Sequence, residues 1–403
     1  MANRNGGFIG TDGLDAPDPP TGVTVTAGNT SGSVAFTAPT DTGTSAITGF
    51  VAQVSTDDTD YSVGSNTGTS SPIVISSLTN GTAATAKVWA INAYGTSAPS
   101  DASASFTPSV TAGDTAYFFG GNGASGYTNT IQFVAMASLG DASDFGDLAT
   151  ILTRNGACSS STRGVSTGGF SGSNLNTMQY ITLDTLGNAT DFGDLVAVNR
   201  FNAALSNGTR GVIGGGQSGG GATYNVMQYI TISSVGNTTD FGDLTVARWG
   251  NASCASTTRG IFAGGQGGDG DVIDLHTISS AGNASDFGNL TVAGYGMGGC
   301  SNSIRGVFAG GSARGGDVKT IDYITIASAG NASDFGDLVV GGVGVSAAAN
   351  ATRALFGSGL LADDNIEFVT IASTGNASVF GELTSGSGRE HGAGCSDSHG
   401  GIA

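Results

Sequence analysis

Positive charge is scarce in this sequence. Lys87 and Lys319 are the only lysines in 403 residues, and the formal net charge at pH 7 is −18. Aspartate supplies nearly all of it, because Glu367, Glu382 and Glu390 are the only glutamates. Such a surface repels phosphate backbones, so nucleic acid is not an expected partner. Long apolar runs are missing too. Nothing approaches the ~18 residues of a membrane span, and the opening MANRNGGFIGTDGL has no signal-peptide core. The expectation is a chain made in a cytoplasm, without membrane insertion and not exported by the usual route. Proline is rare, and the 70 glycines follow no G-X-Y period, which excludes collagen. Cysteine is limited to Cys158, Cys254, Cys300 and Cys395, with no CxxC. Each falls at about the same place in a repeat, and equivalent positions do not pair. They read as small buried hydrophobes rather than disulfides or metal ligands. Asp-rich turns could recruit divalent cations, but a solvated acidic surface accounts for them. No metal and no cofactor is expected.

What is present favours strands. Apolar residues make up 38% of the chain, in short runs broken by Gly, Ser, Thr and Asn. That pattern predicts an all-β protein of many short strands. Residues 1–15 have no period and read as an arm that orders on a partner. From Ala16 apolar and polar residues alternate, predicting strands at Val23–Val25, Val34–Phe36, Ile47–Val54, Pro72–Ser76 and Ala84–Asn92 at the spacing of a β-sandwich. With Pro19-Pro20, LTNGT at Leu78–Thr82 and VWAINAYGTSAPS at Val88–Ser100, residues 16–108 resemble a fibronectin type III domain. Phe36 stands where such domains carry Trp, and Ala84 where they carry the corner tyrosine. The resemblance implies a spacer or adhesion module, and no RGD is present.

Residues 109–403 are repetitive. The nonapeptide GNASDFGDL (Gly330–Leu338) has five relatives, and their phenylalanines are Phe145, Phe192, Phe241, Phe287, Phe335 and Phe380, spaced 47, 49, 46, 48 and 45 residues apart. That period suggests one four-stranded propeller blade per repeat. In the fifth copy the strands are expected to end near Cys300 and to cover Gly306–Ala309, Ile321–Ile326 and Asp337–Val340. GNASDFG then connects the third strand to the fourth, its Asn, Ser and Asp bonding the turn backbone. Phe335 and Leu338 plug between neighbouring blades. The N-x-S/T triplets at Asn188, Asn237, Asn283, Asn331 and Asn376 read as turn chemistry rather than glycosylation sites.

Double glycines at Gly120-Gly121, Gly168-Gly169, Gly214-Gly215, Gly264-Gly265 and Gly310-Gly311, with Ser358-Gly359 in the sixth copy, precede a third strand and the Phe-x-x-Leu segment. An arginine follows as Arg154, Arg200 and Arg248, and is lost near Gly294. This order resembles the kelch repeat, with Phe for the kelch Trp. The resemblance implies a kelch-like β-propeller, six blades with a C-terminal strand completing the first, or seven with a partial blade. It is silent on activity.

Five of the eleven arginines, Arg163, Arg210, Arg259, Arg305 and Arg353, recur just before the second strand. The expectation is a ring paired with aspartates such as Asp147 or Asp337, with an anion-binding ring as the alternative. The loops after the double glycines carry Tyr127, Asn129, Asn174, Tyr224, Asp271, Arg314 and Lys319. Aromatic faces beside short polar groups suit shallow recognition of sugars, so Tyr127, Asn129, Asn174, Tyr224, Arg314 and Lys319 are the candidate binding residues. No catalytic set stands out. The histidines are His276, His391 and His399, and only Glu382, Glu390 and His391 cluster in a way a carbohydrate-active enzyme would need.

An arm opening GFIGTDGLDAPD, a fibronectin-type segment and a Gly-rich kelch-like array resemble, in that order, virion proteins of tailed phages, particularly those of marine cyanobacteria. The resemblance implies a structural virion protein, a tail fibre, appendage or capsid decoration. Its arm and sandwich would meet other virion proteins, its propeller host-surface glycan, and a homo-oligomer would be compatible. An enzyme built on the propeller and a purely structural decoration protein are the alternatives.

Overall fold

The computed structural model describes residues 15–28, 31–79, 82–108, 114–123, 126–183, 185–313, 316–357, 359, 364–384 and 390–398. Residues 1–14 of the expected arm, Arg314, Ser358 and His399 lie outside the described residues. The described chain is all-β, with antiparallel sheets and no helix. It divides into two compact units, Met1–Thr111 and Ala112–Ala403.

The first unit holds two sheets. One orders Thr21–Gly28, Ser31–Thr37 and Ile73–Ile75; the other orders Gly64–Gly68, Ile47–Ser55, Thr85–Asn92 and Gly95–Thr96. Every second residue of Ser31–Thr37 and of Thr85–Asn92 is buried. Successive side chains of a strand point to opposite faces, so this alternation sends Val34, Phe36, Ala86, Val88 and Ala90 into one core with Phe50 and Val54. Phe36 lies 4.8 Å from the Phe50 ring. Beyond Thr96 the chain covers an edge. The Ser97, Ser100 and Ser103 hydroxyls accept from the N–H groups of Ala90, Val88 and Ala86. The same serines donate their own N–H groups to those three carbonyls. A serine at every third residue thus meets every second residue of the strand and blunts an edge open to further pairing.

The second unit holds six main sheets. Sheet one orders Ala393–Ser396, Thr115–Phe119, Gly126–Ala135 and Ser143–Leu152, with the two-residue strand Asn122–Gly123 attached to its third strand. The C-terminal strand therefore pairs with the first strand of the unit, Cys395 opposite Tyr117. Sheet two orders Gly156–Ser159, Arg163–Phe170, Asn174–Thr182 and Thr190–Asp194. Sheet three orders Ala203–Ser206, Arg210–Gly214, Val226–Thr231 and Thr239–Asp243, and sheet four Ala252–Ala255, Arg259–Ala263, Val272–Thr277 and Ser285–Asn289. Sheet five orders Gly298–Ser301, Arg305–Ala309, Thr320–Thr325 and Ser333–Asp337, and sheet six Ser346–Ala349, Arg353–Gly357, Asn365–Thr370 and Ser378–Glu382. The first strands touch in succession, and that of sheet six touches that of sheet one, which touches that of sheet two.

The nonapeptide has a different place from the one its composition suggests. SDFGD is itself the fourth strand, Ser333–Asp337 in sheet five, and only the GNA before it is a connection. Phe335 is 2% exposed and bends inward at a register shift opposite Ile321 and Asp322. Its burial is worth about 2–3 kcal/mol, which outweighs the turn preference of the flanking Asn and Gly. Phe145, Phe192, Phe241 and Phe287 are buried in the same way. The core around Phe335 draws on two sheets, with Val307 and Ile321 from one and Val345, Phe356 and Val369 from the next.

Each nonapeptide also grips the one before it. Gly375 donates its N–H to the Phe335 carbonyl (2.8 Å; 2.6–3.1 Å across the copies), Ala377 donates to the Asp337 carbonyl (2.8 Å), and Asp337 donates its N–H to Asn376 Oδ1 (3.1 Å). The same three bonds recur at every junction, with Asp141 replacing Asn where sheet six meets sheet one. Gly336, at φ +148°, lies so close that an added Cβ would sit 2.5 Å from the Gly375 carbonyl. Asn331 and its equivalents are therefore receptors for a neighbouring backbone.

Among the described residues the recurrent arginines do not pair with aspartates. Arg163, Arg210, Arg259, Arg305 and Arg353 donate through Nη1 to the carbonyls of Ile232, Ile278, Ile326, Ile371 and Met136, each just past the third strand of the next sheet. Four of them also lie over an aromatic ring of their own third strand, Tyr180, Tyr229, Tyr323 or Phe368. The physical reason is placement. The arginine starts a second strand, whereas the aspartates sit on the exposed fourth strand. At the sixth junction, where no arginine exists, the Tyr117 hydroxyl donates to the equivalent carbonyl, that of Leu183 (2.9 Å).

A further tie lies deeper. Gln132, Gln179, Gln228, Asp274, Asp322 and Glu367 are equivalent buried residues of the third strands. Each accepts an N–H from the residue after Leu in the preceding nonapeptide, at Thr384, Ala149, Val196, Thr245, Thr291 and Val339. The four cysteines are buried and free. Burial pushes the Cys158 thiol up to about 12, so it packs as an inert hydrophobe against the position of Gly211.

Candidate functional site

Each sheet of the second unit is entered through a connection from a fourth strand to a first strand. Among the described residues every connection contains one residue in the left-handed region: Arg154, Phe201, Gly250, Gly296, Gly344 and His391, with φ between 57° and 82°. These six are joined head to tail. Arg154 donates its N–H to His391 (2.6 Å), Phe201 to Arg154 (2.7 Å), Gly250 to Phe201 (2.9 Å), Gly296 to Gly250 (2.6 Å), Gly344 to Gly296 (2.6 Å) and His391 to Gly344 (2.8 Å). The circuit returns to its start.

Glycine adopts this conformation without penalty, and three repeats use it. The other three place a side chain there, at roughly 1–2 kcal/mol of strain each. Arg154, Phe201 and His391 all line a cavity of about 100 Å³ bounded by this ring and the starts of the first strands. A second cavity of about 60 Å³ is lined by the far ends of those strands. Ala157, Ala204, Ser253, Gly299, Ala347 and Gly394 line both.

Aromatic and cationic groups crowd one side of the mouth. Phe201 lies 4.7 Å from Trp249 and 5.2 Å from the His391 ring, and Trp249 lies 5.0 Å from Tyr295. Phe170 meets Tyr127 edge-on at 5.8 Å. The Arg154 guanidinium sits 5.2 Å from Phe170 and 4.9 Å from Phe201, and that of Arg200 5.4 and 5.7 Å from the same two rings. All these side chains are half-buried. Among the described residues neither arginine forms an ion pair, and the one such pair is Arg248–Asp274. The Arg200 guanidinium donates to Gln217 Oε1, through Nε (3.1 Å) and Nη2 (2.8 Å). Burial and the Arg154 charge lower the Arg200 pKa, and the same two causes bring His391 down to about 4. Asn251, 6% exposed, lines the cavity with neither side-chain atom bonded, and Arg154 Nε is buried without a partner. An orphaned polar group of this kind costs about 1–3 kcal/mol.

The residues expected from the loops scatter. Tyr127 reaches the mouth through Phe170, and Asn174 donates to the Gln217 carbonyl (3.0 Å), beside Arg200. Asn129, Tyr224 and Lys319 are instead tied to the backbone of Leu148, Val198 and Val339. Arg314 lies outside the described residues. Glu382 ends an outer strand, whereas Glu390 accepts from Asn122 Nδ2 (3.2 Å) next to the ring. Among the described residues no group of three or more His, Cys, Asp or Glu side chains could hold a metal ion.

Arg154, Arg200 and Arg248 are not equivalent, contrary to expectation. Arg154 occupies the ring position, Arg200 precedes it by one residue and Arg248 by two. Arg248 is 1% exposed and bonds Asp274 Oδ2 (2.8 Å). The third double glycine also shifts by one, since the left-handed pair is Gly215-Gly216. The mouth residues Phe170, Phe201, Trp249 and Tyr295 escaped attention in the sequence. A signal was present: the column four residues before each Cys or its equivalent reads Arg, Phe, Gly, Gly, Gly, His. Compared with known proteins, the chain matches no family model and no curated protein.

Proposed function

We propose that this chain is a structural virion protein that displays a glycan-binding β-propeller. In this reading the second unit is a six-bladed, kelch-like propeller closed by its C-terminal strand, and the first is a fibronectin-type sandwich serving as a spacer toward the particle. Closure is supported by the head-to-tail ring of six backbone hydrogen bonds and by the nonapeptide clasp that recurs from sheet six to sheet one. The virion assignment rests on the order of arm, sandwich and repeats.

The observation that carries the binding role is the half-ring of partly exposed aromatic and arginine side chains at the mouth. Aromatic faces beside hydrogen-bond donors suit a sugar ring, and a mouth formed by several connections on a rigid scaffold is a common place for ligands. The test is binding of the purified chain to a panel of bacterial cells, with and without their surface polysaccharide. Saturable binding that disappears with the polysaccharide is the expected result. Failure on every strain would leave assembly or decoration as the role.

A further inference from the structure

Resting on that reading, we infer that the mouth selects a carboxylated sugar, a uronate or related acidic saccharide, with Arg154 as the anchor for its carboxylate. Four observations converge. Arg154 and Arg200 lie against the same two phenylalanines, and neither has a carboxylate partner among the described residues. Two neighbouring guanidiniums repel, and an anion between them removes the repulsion while accepting paired N–H bonds in the fork geometry that arginine offers. Three repeats show that glycine serves at the ring position, yet here an arginine is held there in a strained conformation. Asn251 supplies an unbonded buried amide to the same cavity.

Size and charge narrow the ligand. The cavity of about 100 Å³ that Arg154 and Asn251 line has room for a carboxylate. The sugar ring then meets the half-buried aromatic side chains beside it, Phe201 and Trp249. The net charge of −18 repels a densely charged chain as a whole. One carboxylate per sugar, presented to a local positive patch, meets the attraction without the full repulsion that a heavily sulfated chain or nucleic acid would meet.

The experiment titrates the full chain with tetragalacturonate, maltotetraose and sulfated maltotetraose, following calorimetric heat and the fluorescence of a Trp89→Phe chain in which Trp249 is the one tryptophan. The expected order is tetragalacturonate at least ~10-fold tighter than maltotetraose, with the sulfated probe weaker than the uronate. Arg154→Gly should lose ~10-fold or more of the uronate affinity and keep an unfolding midpoint no lower than the parent chain, because glycine fits the ring. Arg200→Gln should weaken the uronate by a larger factor than it weakens maltotetraose, and Arg305→Gln, away from the mouth, should change neither. Equal affinity for neutral and acidic probes, a preference for sulfate, or full uronate binding by both mouth variants would overturn the acidic-sugar assignment alone. No binding of any saccharide would overturn it together with the glycan reading on which it rests.

Discussion

The outer strands and the mouth of the second unit use the same device to different ends. Both link six repeats by backbone hydrogen bonds that run from each sheet to the next and return to the start. At the outer strands the residues barely vary: Phe, Gly and an Asn or Asp recur in each copy, and five of the six glycines that follow the phenylalanines carry a strongly positive φ. At the mouth the backbone geometry is kept while the side chains differ, from glycine to arginine, phenylalanine and histidine. Where geometry and residue are both constant, packing decides the residue. Where geometry is constant and the residue varies against its own conformational preference, the strain is offset by contacts particular to that repeat, such as those Phe201 makes with Trp249 and His391.

The comparison is broken most directly at an outer strand. Gly336→Ala meets the Gly375 carbonyl at 2.5 Å and forces alanine to φ +148°, so a loss of about 2–4 kcal/mol is expected in chemical denaturation. A change below about 0.5 kcal/mol would mean the clasp is slack.

Acid sharpens it next. His276 is 4% exposed between Phe241 and Phe262, and burial brings it down to about 4 from 6.5. Its unfolded form therefore binds a proton that the folded form refuses between those values. Stability should be whole above pH ~6.5 and fall as pH drops toward 4, by about 1.4 kcal/mol per unit and about 3 kcal/mol in all. His391 should add a similar amount. His276→Leu and His391→Gly should each flatten part of the profile of unfolding midpoint against pH, and a profile unchanged by both would refute the assignment.

The arginine seam gives a smaller contrast. Arg305→Gln removes the bond to Ile371 and the contact with Tyr323, about 1–2 kcal/mol. Asp337→Asn should cost less than about 0.5 kcal/mol, because no arginine depends on it. Equal and large losses would restore the ion-pair expectation. The smallest effect belongs to Asn331→Ala. It leaves the Asn289 N–H, on an exposed edge, to water, at about 0.5–1 kcal/mol by thermal unfolding.

Much of this was legible in order and period. Alternation marked the strands of the first unit near their true bounds, as at Ile47–Ser55 and Thr85–Asn92. The recurring phenylalanines marked the repeats. The nonapeptide was misplaced because Asn, Gly, Ser and Asp are turn formers locally, and only the neighbouring sheet makes SDFGD a strand. The arginine partners were misread because charge suggested aspartate, while the available acceptor was a carbonyl some 66 residues away in sequence. The candidate site was legible only in part: Tyr127 belongs to it, Phe201 shows only as a departure from glycine when the repeats are aligned, and Trp249 carries no local pattern.

By itself, then, the sequence determined an all-β chain, its two kinds of grammar and the length of its repeating unit. These follow from side-chain alternation and turn chemistry, which act within a few residues. Tertiary structure alone decided that six connections meet in one hydrogen-bonded ring, and that Arg154, Phe201 and His391, distant in the chain, share its mouth. Their meeting depends on how six sheets are angled about one another, a sum over every inter-sheet contact that no local stretch encodes.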